Sequence, residues 1–178
     1  KKEPGIIIST FEVLLPIIKK YKTPIILEMI AVLPDPNKTY ETPLKINRLT
    51  TLMHKNFPDY DNWGWCIDTA HLWGAGIKVN DINIMNKWFD DIKMPESVKL
   101  IHLNGASKST FATGKDKHIV IFSDEDDIWK NTKKKKSSLY TIQKFVKNNN
   151  INVVCEINRG DYKDILSSID EFMINEKV

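Results

Sequence analysis

Four segments of this chain repeat one plan, an apolar, β-rich run that ends in a residue able to bind a metal. The runs are PIILEMI (24–30), WGWCIDTA (63–70), SVKLIHLNG (97–105) and INVVCEI (151–157), and the donors are Glu28, Asp68, His102 and Glu156. Their apolar residues are continuous rather than alternating, the pattern of strands covered on both faces in a parallel sheet. Helical patterns fill the gaps. Thr42 is placed to cap, and Pro43 to open, a helix with Leu49, Leu52 and Met53 on one face. Asn80 precedes a second, carrying Ile82, Met85 and Phe89, and Ser138 opens a third through Leu139, Ile142 and Val146. A fourth runs from about Tyr162, with Ile165, Ile169, Phe172 and Met173 on one side. A further apolar segment precedes the first run, and Pro16 is expected to kink or shorten its helix. The order α-βα-βα-βα-βα predicts a parallel α/β fold, and its spacing is compatible with a barrel or an open sheet.

In such a fold the ends of parallel strands lie on one face, where active sites are built. One strand-end carboxylate is ordinary. Four donors at four strand ends are much harder to obtain by chance. The loops add His71, close behind Asp68, and the D-x-H pair Asp116 and His118. Of the four histidines in the chain only His54 falls elsewhere, at the end of a helix, where it reads as a surface residue. Carboxylates and neutral imidazoles without thiolate suit zinc, manganese or iron. Seven donors exceed what a single four-coordinate ion uses, so two or more ions bridged by a carboxylate are implied. Closely spaced ions are a standard solution for phosphoryl chemistry, because they lower the pKa of bound water and neutralise the attacking and leaving oxygens.

Composition bounds this reading without directing it. A chain of 178 residues, 42% hydrophobic and 28% charged, is long enough for one domain with a sizeable core. Its net charge of +3 allows a nucleic-acid partner but does not demand one. No apolar run approaches the roughly 18 residues of a membrane span, and the start has no signal-peptide pattern. Cys66 and Cys155 sit inside apolar runs and read as buried, reduced thiols, which fits an intracellular setting. The basic run KKKK (133–136) reads as a solvated loop. The opening KKEPG lacks a methionine and enters a helical pattern at once, as a segment with an upstream half would.

Together these residues resemble the endonuclease IV family, the metal-dependent apurinic/apyrimidinic endonucleases of DNA repair, in their C-terminal half. The matching signatures are ILE (26–28), CIDTAH (66–71) followed by GAG, HLN with KSTF (102–111), DKH (116–118) and CE (155–156). The flavour of CIDTAHLW is nearest to the forms carried by large cytoplasmic DNA viruses. The resemblance implies the C-terminal half, about four βα units, of an eight-stranded parallel α/β barrel of the TIM type. It also implies three zinc ions, with manganese as a possible substitute. Glu28 would bridge the first and second ions, Asp68, His102 and Glu156 would complete the second, and His71, Asp116 and His118 would bind the third. The implied reaction is hydrolysis of the phosphodiester 5′ to an abasic site in duplex DNA by a metal-bound hydroxide, with Glu28 and Glu156 as catalytic carboxylates. The duplex would be bent and the abasic nucleotide turned out of the stack. Lys108, Lys115, Lys117 and Arg159 are candidates for phosphate contacts, each weighed against a plain solvated cation.

Three departures accompany the match. Only the last four of eight strands are represented, and two histidines that finish the first zinc site belong to the other half. The family's HLND reads HLNG, with Gly105 in place of an aspartate, and the stretch from His102 to Asp116 is one residue longer. A half barrel leaves unpaired edges, so a further polypeptide segment, covalent or not, is expected to complete it. Two other readings stand beside this one. A metal-dependent sugar isomerase or epimerase barrel would use the strand-end donors but would not need His71, Asp116 and His118. A non-catalytic structural or virion-associated relative would have no reason to keep buried carboxylates, which are costly to bury.

Overall fold

The strand-ending residues set the frame of the fold. In the computed structural model, residues 3–31, 40–130, 137–156, 163, 166, 167, 169, 170 and 172 are described. The elements run α1 (Glu3–Tyr21), β1 (Ile25–Glu28), α2 (Pro43–Asn56), β2 (Trp63–Asp68), α3 (Thr69–Gly74), α4 (Ile82–Asp90), β3 (Val98–His102), α5 (Ser138–Asn149) and β4 (Asn152–Val154). All neighbouring strands are parallel and follow chain order, β1-β2-β3-β4. The strand order never reverses as it does in a doubly wound sheet, so the four βα units progress around an arc in the manner of a barrel segment.

The helix-facing side of the sheet holds the core. Trp65 and Ile67 on β2, Val98 and Ile101 on β3, and Ile46, Leu49 and Met53 on α2 are all buried. The Trp65 indole donates to Thr50 Oγ1 at 2.9 Å, which fixes β2 against α2. Phe89 on α4 stacks on Phe145 of α5 with ring centroids 4.3 Å apart. Burying residues of this size contributes about 1.5–3 kcal/mol each.

Several expectations are corrected in detail. Only β2 is buried at every position; β1 and β4 alternate, and Ile26 and Val154 are exposed. Both lie on the face of the sheet away from the helices, the inner face, which is open at these edge strands. Pro16 does not shorten α1, because Phe11 and Ile18 on either side of it are both anchored in the core. Thr42 stands at the N-cap of α2, yet its hydroxyl makes no capping bond; the start rests on Pro43. The helix after Asn80 begins at Ile82 and is capped by Asp81, which accepts from the amides of Asn83 and Ile84. The run KKKK, Arg159 and most of the helix expected from Tyr162 lie outside the described residues. Both cysteines are free, but only Cys66 is buried; Cys155 is half-buried. His54 is exposed beside Trp63. Among the described residues no helix is long and apolar enough to cross a membrane.

Candidate metal centre

The parallel register delivers the donors together. Glu28 pairs in register with Cys66, and Asp68 with His102, so three strand ends open on one place. Glu156 arrives two residues beyond β4, its amide held by Asn104 Oδ1 at 2.9 Å. Ligand atoms of Glu28, Asp68, His102 and Glu156 all lie within 4.8 Å of one another, and so do those of Asp68, His71 and His118. His102 Nδ1 stands 3.1 Å from Glu28 Oε1, 3.6 Å from Asp68 Oδ2 and 3.0 Å from Glu156 Oε2.

Asp68 is where strand chemistry becomes helix chemistry. Its Oδ1 accepts from the amides of Ala70 (2.7 Å) and His71 (3.0 Å), capping the short α3. Its Oδ2 accepts from Asn104 Nδ2 at 2.7 Å and faces the histidines. The capping bonds turn the chain and set His71 beside the same carboxylate. Burial alone would raise the Asp68 carboxyl, but the rings of His102, His71 and His118 outweigh it and hold the group below the usual carboxylate range. In return Asp68, then Glu28 and Glu156, push the His102 imidazole up to about 9 against the opposing effect of burial. Burial and the charges of Glu28 and Asp68 push the Cys66 thiol up, and Cys66 also lies within reach of Glu28 and His102.

The second group turns on tautomers. His71 Nδ1 is 2.6 Å from the carbonyl of Met29, and His118 Nδ1 is 2.8 Å from the carbonyl of Glu156. A carbonyl only accepts, so each ring carries a proton on Nδ1 and, in its neutral form, presents a lone pair at Nε2. Those two Nε2 atoms face each other at 3.4 Å. Asp116 Oδ1 lies 3.3 Å from one and 3.0 Å from the other, and Asp68 Oδ2 is 3.5 Å from His118 Nε2. Converging acceptors with no proton between them repel one another unless a cation joins them. Imidazoles oriented through backbone carbonyls are the usual supports of metal-binding histidines. The donor chemistry therefore fits a divalent ion.

The loop bearing Asp116 is strapped to the end of α3. Trp73 Nε1 donates to Ser107 O at 2.9 Å, Ala112 N to Trp73 O at 3.1 Å, and Gly114 N to Gly74 O at 3.0 Å. At Gly74 a Cβ would sit 3.0 Å from Lys115 O, a tighter contact than most side chains make, so the glycine eases this approach. The loop brings Asp116 to both histidines. Lys108, Lys115 and Lys117 are exposed on it.

Asn104 was missed as a site residue by sequence reasoning. It is fully buried and joins Asp68 through Nδ2 to the Glu156 amide through Oδ1, while its own amide donates to Thr69 Oγ1 at 2.9 Å. Its place in HLN, two residues past a donor, was the available signal. An asparagine bonding at both ends of its amide, however, has no periodic signature.

No protein-family profile matches the chain. Curated relatives do. It is 30% identical over 113 residues to a probable AP endonuclease of African swine fever virus (strain Badajoz 1971 Vero-adapted), covering 60% of this chain and 37% of the relative. It is 29% identical over 143 residues to a probable endonuclease 4 of Mycoplasmopsis synoviae (strain 53), covering 79% and 47%. The chain thus spans about half, or less, of the length of the curated relatives it matches. Among solved structures, the AsfvAP:AG crystal structure superposes with a TM-score of 0.70 at 25% identity over 86% of this chain and 52% of that one. Endonuclease IV of Thermus thermophilus does so at 0.56 and 17% identity, over 85% and 49%, a likeness of fold.

Proposed function

We propose that the chain belongs to the endonuclease IV family and carries the C-terminal, zinc-binding half of an enzyme that hydrolyses the phosphodiester 5′ to an abasic site in duplex DNA. One observation carries the reading. The His71 and His118 lone pairs converge with Asp68 and Asp116 beside the strand-end group of Glu28, His102 and Glu156. A sugar isomerase barrel would need the strand-end group alone. In this reading Glu28, Asp68, His102 and Glu156 would hold zinc at the strand ends, and His71, Asp116 and His118 would hold a further ion beside them. Bound together, such ions supply Lewis-acid charge for a phosphoryl group and for the leaving oxygen.

The remaining work belongs to the protein. Asn104 holds Asp68 and the Glu156 backbone in fixed relation, and the Met29 and Glu156 carbonyls keep His71 on α3 and His118 on its loop in the ligand tautomer. Glu28 and Glu156 are half-exposed at the mouth, placed to meet a substrate, and act as the catalytic carboxylates. Exposed Lys108, Lys115 and Lys117 present charge to DNA phosphates beside Asp116; Arg159 would join them from outside the described residues. Such a role would place the protein inside the cell, in nucleus, cytoplasm or virion.

We propose further that another polypeptide segment, covalent or separate, completes the barrel. The support is the open inner face at Ile26 and Val154, together with the exposed apolar stripe Val13, Ile17 and Tyr21 on α1. A stable 20.6 kDa monomer with cooperative melting, seen by native mass measurement, would contradict this.

Elemental analysis of the intact natural protein, coupled to cleavage of an abasic-site duplex with and without chelator, tests the function. Several zinc ions and chelator-sensitive incision 5′ to the lesion are expected. Zinc-loaded protein that leaves the duplex uncut would overturn the assignment.

A further inference from the structure

The Asp116–His118 segment carries two proposed ligands without belonging to a helix or strand. Its anchor on the far side is one antiparallel bridge, in which Gly105 N donates to Ile119 O at 2.8 Å and Ile119 N to Gly105 O at 3.0 Å. Ile119 is the neighbour of His118, so this bridge sets where the His118 ring begins. Gly105 in turn lies directly against a carboxylate. A Cβ at position 105 would fall 2.7 Å from Asp126 Cγ, 2.8 Å from its Oδ1 and 2.9 Å from Ile119 O. Asp126 occupies the space that any side chain at 105 would need.

Asp126 is fully buried, and its own bonds tie down the segment on which it sits. Oδ2 accepts from Phe122 N at 2.9 Å, and Oδ1 accepts from Ile128 N at 2.9 Å and Trp129 N at 3.2 Å. The turn so formed reaches back over the HLNG strand end. Trp129 Nε1 donates to Asn104 O at 3.2 Å, Asp127 N to Ala106 O at 2.9 Å, and Lys108 N to Asp127 Oδ2 at 2.7 Å. Asp126 therefore closes a clamp over residues 104–108, whose outer edge is the Gly105–Ile119 bridge. A buried carboxylate held by backbone amides is an expensive way to close a turn, and this one stands where the bridge admits no other side chain.

We infer that Asp126 is a positioning residue, holding Gly105 against Ile119 and so aiming His118 and Asp116 into the site. The consequence for metal binding rests on the function proposed above. The consequence for the bridge does not.

The test uses the intact natural protein with Asp126→Ala, Asp126→Asn and Gly105→Ala. Amide hydrogen exchange is read without metal, and zinc affinity is read separately. In Asp126→Ala the Gly105 and Ile119 amides are expected to exchange faster while those of β2 keep their protection. Zinc affinity should fall by about 10–100-fold, the usual cost of losing a group that orients a ligand. Asp126→Asn, which keeps the shape and one acceptor oxygen, should recover part of both. Gly105→Ala should do less harm on the Asp126→Ala background than alone, because the carboxylate it strikes is gone. Unchanged exchange at Gly105 and Ile119, or equal acceleration throughout β2, overturns the inference. If Asp126→Ala does not fold, the asparagine and Gly105→Ala variants decide it by the same amides. Wild-type protein that binds no zinc would sink the nuclease reading and leave the exchange result to judge this one.

Discussion

Along β2, Trp63, Trp65 and Ile67 face the helices, while Gly64, Cys66 and Asp68 face the other way, and the two sets obey different rules. The first set is close-packed: Trp65 bonds Thr50, and Ile67 is fully enclosed. The second set places Asp68 among three imidazoles and continues on the edge strands into the partly exposed Ile26 and Val154. A period of two residues is enough to separate stability from chemistry in one strand. Damage to the outer set should act on the fold, and damage to the inner set on the site.

The strongest test of that division is Trp65→Ala, which should cost about 3–5 kcal/mol by denaturant melting and remove activity with the fold. Glu28→Gln should do the reverse, abolishing incision of an abasic-site duplex while the melting curve stays in place; near-normal turnover would take Glu28 out of the mechanism. Asn104→Ala lies between the two faces. It should weaken zinc binding by roughly 10–100-fold in a competition titration, since it orients ligands without being one.

A subtler effect concerns pH. His102 is raised from 6.5 to about 9 by its carboxylate neighbours. In metal-free protein its contribution to stability is complete below pH 6.5 and lost as pH rises through about 9. Melting across that window, with and without zinc, should show the slope only when the metal is removed. The smallest effect is expected for Lys117→Ala. It should lower DNA affinity modestly and reduce the salt slope by about one, leaving metal content unchanged. An equal effect on zinc would place Lys117 inside the site rather than at its rim.

Much of this was open to a reader of the chain alone. Glu28, Asp68 and His102 end apolar runs, and a parallel sheet must bring such ends together. The helix faces of α2, α4 and α5 follow their periodicity. Asn104 and Asp126 were not legible, because their importance comes from what they bond across the fold. Asp126 lies in FSDEDDIWK among other acids of the same type, and only its burial against Gly105 distinguishes it. The open inner face was also hidden, since a continuous apolar run looks alike whether or not something lies opposite.

Residue order by itself determined the α/β class, the parallel strands and the donor types at their ends, because backbone periodicity and side-chain chemistry are local properties. Tertiary structure decided which nitrogen of His71 and of His118 faces the site. It also decided which asparagine spans two carboxylate-bearing segments and which aspartate leaves room only for glycine. Those choices depend on carbonyls and amides supplied from dozens of residues away, and no local pattern encodes them.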